Sequence, residues 1–236
     1  VGDDLEARGW GFPGVAHGFA PRGREVARRF HLVRARQVHG TTVLAVGAES
    51  ASPAGEADAL ITTERGVAVA VATADCVPIL LVAPGAPAVA AVHAGWRGTL
   101  ADISAQAVER LARDHGARAD EIHAALGPAI DGCCFEIERD IAERFAASFG
   151  DAIWDAWRDG RPGKGTLDLR EVNRQRLIGA GLREDAVQCV GPCTACGGGP
   201  FASYRVEGPR AGRQLSWIGL EPVSAAAVPG DAVSRG

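Results

Sequence analysis

The apolar positions of this chain fall into two kinds of run. Val67 to Ala72, Val77 to Ala83 and Ala88 to His93 are apolar at nearly every position. Strands covered on both faces read this way. Shorter β-type runs lie at Val15 to Phe19, Arg34 to Val38, Thr42 to Val46, Ile122 to Leu126 and Gln214 to Leu220. Other segments repeat with the helical period. Leu100, Ile103, Ala107, Val108 and Leu111 share one face, with Thr99 as the predicted N-cap and Gly116 as the stop. Ile137, Ile141 and Phe145 recur at i+4 up to Gly150. Asp168 opens a third helix, with Glu171 as a partial capping box and Val172 and Leu177 on the inner side. Together these predict a mixed α/β (α+β) class, a mixed sheet with helices packed on it. The order is too irregular for strict βαβ alternation.

The 236 residues suit a single domain, read as 1–221, followed by a loose Ala- and Pro-rich tail over 222–236. The net charge of −4 argues against nucleic acid as a partner. From Cys76 to Trp96 no Asp, Glu, Lys or Arg occurs, which is long enough to mimic a membrane span. Pro78, Pro84, Gly85 and Pro87 break that stretch into two strands instead. The acidic first ten residues carry no signal-peptide pattern. The expectation is a soluble, cytoplasmic protein without a membrane partner. Its six cysteines then read as free thiols or metal ligands rather than a disulfide framework.

Chemistry concentrates at predicted strand ends. His39 closes one short strand, Cys76 precedes a buried one, and His93 ends the next. Two imidazoles and a thiolate form a soft donor set that suits zinc, and three protein ligands leave a position open for water. Buried cysteines and single histidines also serve as packing residues, so on the residues alone both readings stand. After His93, Gly95 and Gly98 allow a tight strand-to-helix turn. Arg97, Gly98 and Thr99 then form a candidate phosphate-binding helix start, or an ordinary turn with a solvated Arg. Asp75, beside Cys76, is a candidate acid/base group, or equally a turn residue. His17 could line a pocket or pack.

A rival metal set lies near the C-terminus, where Cys189, Cys193 and Cys196 give C-x3-C-x2-C. Zinc nucleobase deaminases pair P-C-x-x-C with an upstream H-x-E or C-x-E, and Cys134-Phe135-Glu136 fits the latter. The long intervening segment counts against one compact unit. Cys133 and Cys134 read as buried thiols.

Four further blocks carry a resemblance. QVHG at 37–40, TADCVP at 73–78, HAGWRGT at 93–99 and LGPAI at 126–130 resemble the YfiH/YlmD-type laccase-domain family, also called polyphenol oxidoreductase or peptidoglycan-editing-factor proteins. CTAC at 193–196, FASYR at 201–205 and GRQLSWIGL at 212–220 resemble its closing block. The chain departs from the family pattern at Ala202 and over 197–199. The resemblance implies a three-layer mixed-sheet fold and a zinc site on His39, Cys76 and His93. It also implies purine nucleoside phosphorolysis, adenosine deamination and methylthioadenosine phosphorolysis in one pocket, with purine nucleosides and phosphate as partners. The alternatives it brings are a cysteine-type amide hydrolase acting on a peptidoglycan precursor and a phenol oxidase. A nucleotide-binding module without catalysis is a further reading. Multicopper oxidation needs many histidines, and this chain has six, no His-x-His pair and no Met. Zinc-dependent hydrolysis or phosphorolysis therefore suits the residues better.

Overall fold

The computed structural model describes residues 3–26, 28–196 and 199–222. The tail expected over 222–236 therefore lies almost wholly outside the described residues. In chain order, β1 (Val15–Ala20), β2 (His31–Val33), β3 (Val43–Ala45), β4 (Ala59–Thr62), β5 (Val67–Thr73), β6 (Val77–Ala83) and β7 (Ala88–Ala94) lead into α1 (Trp96–Leu100) and α2 (Ile103–His115). Then come β8 (His123–Leu126), β9 (Glu136–Glu138), α3 (Arg139–Phe149), β10 (Trp157–Asp159), β11 (Lys164–Leu167), α4 (Leu169–Gly179), β12 (Val187–Cys189), α5 (Tyr204–Glu207) and β13 (Gln214–Leu220).

Six strands form one mixed sheet in the order β12-β8-β6-β7-β4-β3, and four form a second in the order β1-β13-β5-β2. Side chains alternate across a strand, so each run splits between two cores. Leu80 and Val82 of β6, Val89 and Ala91 of β7 and Leu60 of β4 face Val67, Val69, Val71 and Ile218 of the second sheet. Ile79, Leu81, Ala90, Val92 and Ile61 face Ile103, Val108 and Leu111 of α2 and Val172 and Leu177 of α4. The mixed α/β expectation holds. The layers are sheet, sheet and helices, which explains why β6 and β7 are apolar on both faces; the outer face of β5, at Ala68 and Ala70, packs instead with Phe30 and Trp217. Fully burying one such side chain contributes about 1.5–3 kcal/mol. The central hairpin is accordingly a rigid support for whatever stands at its ends.

Several local expectations change. The run expected over 34–38 is not a strand. β2 pairs with β5 only as far as Val33↔Val69. Beyond it the Gln37 amide takes over the pairing: its Nε2 donates to Ala72 O and its Oε1 accepts from Ala72 N, both at 2.8 Å. Thr99 is not an N-cap, because the helix opens earlier, at Trp96 after Gly95. It breaks at Asp102, which has a positive φ of 63°, before α2 begins. Arg176 grips the Asp102 carboxylate with two hydrogen bonds, at 3.1 and 2.7 Å, and holds that conformation. Gly116 ends α2 in the left-handed region, as expected. Ile137 lies in β9 rather than in α3. The Asp168 cap is as read, with its side chain accepting the Glu171 N–H at 3.0 Å.

A candidate metal and substrate site at one end of the sheet sandwich

The register of β6 and β7 places the first two groups. Pro78 pairs with His93 and Val77 with Ala94, so Cys76 emerges beside the end of β7. Cys76 shares the parity of Leu80 and Val82, and His93 that of Val89 and Ala91. Both therefore face the space between the sheets, where it opens. β4 adds a third residue. Ala59 pairs with Val92, so Asp58 stands directly opposite His93 and accepts its backbone N–H at 2.7 Å. Its side chain points into the same space, where its Oδ1 lies 2.7 Å from His93 Nδ1.

Asp58 is fully buried, and it also organises the segment that carries His39. Its carboxylate accepts the consecutive N–H groups of Val38 (3.2 Å), His39 (2.9 Å) and Gly40 (2.7 Å). Three amides converging on one anion need a tight curl, and His39 has a positive φ of 60°. The donor atoms of His39, Cys76 and His93 all lie within 4.8 Å of one another. The two imidazoles meet edge to face, with centroids 4.8 Å apart. Gly95 leaves room for this approach: a Cβ there would lie 3.0 Å from His39 Cδ2 and 3.1 Å from Cys76 Sγ.

The electrostatics follow from that packing. Burial pushes the Asp58 carboxyl up, but His93 and the N–H groups of Gly40 and Val38 outweigh it and hold the group below the usual carboxylate range. Burial works against a charged His93 as well. Its bonds to Asp58 and Cys76, and their negative charge, raise it to about 9. Burial likewise opposes a Cys76 thiolate, and the two histidines overcome it, bringing the thiol down to about 6. One thiolate and two imidazoles are a donor set that suits a soft divalent cation, which would take the place of the His93 proton.

These three residues line a cavity of about 490 Å³ together with Gln37, Thr73, Asp75, Phe135, Tyr204, Arg205 and Arg213. The volume is that of a small-molecule site. Thr73 is buried, and its hydroxyl has no protein partner among the described residues. Asp75 reaches the cavity wall, but both its oxygens are engaged. Oδ1 accepts the Thr194 hydroxyl and Oδ2 the Arg205 N–H, each at 2.7 Å. It ties two distant loops to the site, in a backbone conformation with φ 82°.

Arg97, Gly98 and Thr99 do not reach this cavity. The Arg97 guanidinium stacks on Trp96 at 4.2 Å and faces a separate hollow with Arg144 and Ser148. Gly98 packs against Gly40 O, and buried Thr99 accepts from Asn173 Nδ2 at 3.0 Å. The helix opens one residue after Gly95, so its first turn swings these residues to the far side of the sheet end. The cations that do face the cavity are Arg205 and Arg213. Nothing in the sequence marked Asp58 beyond its being an acidic residue at the mouth of the short apolar run ALIT. His17 packs: it accepts the Ala7 N–H at 3.0 Å and lies 4.9 Å from Trp10.

The cysteine set expected near the C-terminus is partly regrouped. Cys193 and Cys196 meet Cys133 and Cys134, with all four sulfurs within 4.8 Å. Cys189 stays apart as an exposed thiol. Cys133 is exposed and Cys134 half-buried, so neither is the buried thiol the sequence suggested.

A sheet sandwich thus carries, at its open end, an N/N/S group that could hold a metal ion in the wall of a small-molecule cavity. Residues 22–221 match the family described as multi-copper polyphenol oxidoreductase laccase, and the chain belongs to that family. It is 37% identical to "Purine nucleoside phosphorylase YlmD" of Geobacillus stearothermophilus over 78% of this chain and 70% of that one. It is 41% identical to "Purine nucleoside phosphorylase" of Deinococcus radiodurans over 79% and 69%. "Adenosine deaminase RL5", from an unknown prokaryotic organism, is 39% identical over 68% and 61%. The crystal structure of YlmD from Geobacillus stearothermophilus superposes with a TM-score of 0.82 at 28% identity, over 94% of this chain and 97% of that one. All these sequence relatives are named as enzymes, and this chain is an enzyme. No helix among the described residues is long and apolar enough to cross a membrane.

Proposed function

We propose that this chain is a zinc-dependent purine nucleoside phosphorylase that also deaminates adenosine and cleaves methylthioadenosine. The observation that carries the reading is the convergence of His39, Cys76 and His93 in the wall of the 490 Å³ cavity. The names of the relatives supply the substrate class. His39, Cys76 and His93 are the proposed ligands. Zinc supplies Lewis acidity there and no redox chemistry, which sets aside phenol oxidation.

The chain's own residues do the rest. Asp58 fixes the His93 ring so that Nδ1 faces the carboxylate and Nε2 faces the cavity. Phe135 and Tyr204 offer apolar and aromatic surface for a purine. Arg213 and Arg205 carry the positive charge that would hold phosphate, a role earlier expected of Arg97. Asp75 ties the Thr194 and Arg205 loops to the site through both its oxygens, and each keeps a lone pair with which it can still take up a proton as the candidate acid/base group.

The test is incubation of the protein with inosine and phosphate, followed by chromatography. Hypoxanthine and ribose 1-phosphate should form, and adenosine should give inosine without phosphate. Absence of both products sinks the proposal.

One observation favours a second reading. Asp58, His93 and Cys76 are linked in series, with a thiol near about 6, as in a cysteine hydrolase. Alkylation separates the two. A metal-bound Cys76 is shielded until a chelator acts, whereas a nucleophilic Cys76 reacts at once and tolerates the chelator. Rapid loss of activity on alkylation of metal-replete enzyme would favour the hydrolase.

A further inference from the structure

The second cysteine cluster has no part in the chemistry above. Cys193 and Cys196 come from the C-x-x-C segment, whose first residue pairs with Ala129 and whose Thr194 N–H donates to Ala129 O at 2.9 Å. Cys133 and Cys134 come from a tight turn in which the N–H groups of Cys134 and Phe135 both donate to Asp131 O at 2.9 Å. That turn brings two adjacent side chains to one side. Cys196 Sγ lies 3.4 Å from the sulfurs of both Cys133 and Cys134, which are themselves 3.6 Å apart. These separations are far longer than a disulfide bond of about 2.05 Å.

We propose that Cys133, Cys134, Cys193 and Cys196 bind a second zinc ion as a closed tetrathiolate site that clamps the cavity wall. A zinc–sulfur bond of about 2.3 Å places the thiolates of a tetrahedron about 3.8 Å apart, close to the separations observed. Iron–sulfur clusters spread their thiolates over several irons and need a wider frame. Cys193 adds an independent sign. Its sulfur accepts the Asp131 N–H at 3.4 Å. A backbone donor aimed at that sulfur fixes its direction, as the outer hydrogen bonds of metal sites do for their ligands. Four protein ligands leave no open position, so the ion is structural rather than catalytic.

The clamp reaches the cavity through named contacts. Thr194, between the paired cysteines, donates to Asp75. Arg205 donates from its side chain to Cys134 O at 3.2 Å and Glu136 O at 3.1 Å, and from its backbone to Asp75. Ile130 and Phe135, on either side of the cysteine turn, line the cavity itself. The proposal stands apart from the reading of the first site, because it needs neither nucleoside chemistry nor an ion on His39.

The experiment is zinc analysis of untagged full-length protein and two variants. C133S/C196S should carry one zinc fewer than the unaltered protein, and H39A/H93A should keep the tetrathiolate zinc. Cobalt(II) exchanged into H39A/H93A should show the charge-transfer and tetrahedral bands of a four-sulfur site. Alkylation of the unaltered protein keeps the test decisive if C133S/C196S fails to fold. Cys189 should react at once, and the four clustered cysteines only after a chelator is added. Zinc content unchanged in C133S/C196S, iron in place of zinc, a disulfide among the four, or alkylation as fast as at Cys189 would each overturn the proposal.

Discussion

Asp58 and His93 face each other across two paired strands, and their side chains meet at 2.7 Å. The same carboxylate holds three N–H groups of the His39 segment, so one buried anion sets the position of two candidate ligands. Asp58→Asn should therefore lose zinc affinity by roughly 10–100-fold, the usual effect of removing a ligand's orienting partner. Competition with a chromophoric chelator measures it. Affinity within about twofold of the unaltered protein would show that His93 is oriented by something else.

Gly95 tests the packing of the donors. Gly95→Ala puts a methyl 3.0–3.1 Å from His39 and Cys76. The φ of Gly95 is −72°, so alanine is not strained in the backbone. Activity should fall at least about tenfold from misplacement of the site, with the melting temperature nearly unchanged. A fully active Gly95→Ala protein would mean that the donors need not come this close.

Arg97 and Arg213 separate the sequence reading of phosphate from the structural one. Arg97→Ala removes a surface stack on Trp96 worth about 0.5–1 kcal/mol and should leave the phosphate KM within about twofold. Arg213→Ala removes a cation from the cavity. With about 1.5–3 kcal/mol for a charged hydrogen bond, its phosphate KM should rise roughly 10–100-fold. The opposite ranking in steady-state kinetics would return the phosphate to the turn after His93.

His17 supplies a pH dependence of stability. Burial lowers its pKa below the ordinary 6.5, against a small raising effect of Glu6. Its Nε2 accepts the Ala7 N–H, which only the neutral ring can do. Above pH 6.5 both folded and unfolded chains hold a neutral ring, and the stability is complete. As pH falls below 6.5 the unfolded chain takes up the proton first, so stability drops until the depressed folded value is reached. Within that window the loss approaches about 1.4 kcal/mol per pH unit. Urea midpoints at about pH 7.5 and 5.5 should diverge more for the unaltered protein than for His17→Phe. Equal slopes would assign the effect elsewhere.

Local patterning determined much of this molecule. Continuous apolar runs marked β5, β6 and β7 as strands covered on both faces, because a residue that is buried on either side of a sheet must be apolar at every position. Asp168 and Gly116 marked helix ends because capping is chemistry among near neighbours. Cys76 and His93 stood out because strand ends carry side chains to an edge. Tertiary structure alone decided what lies opposite what. Asp58 became the partner of His93 through strand register 35 residues away, and no local pattern encodes register between distant strands. Arg97 left the cavity because α1 opens a few residues earlier than its capping pattern implied. Cys133 and Cys134 met Cys196 across 63 and 62 residues. Sulfur spacing in sequence carries no distance once sheets and helices fill the interval, and only the packing of those layers closes it.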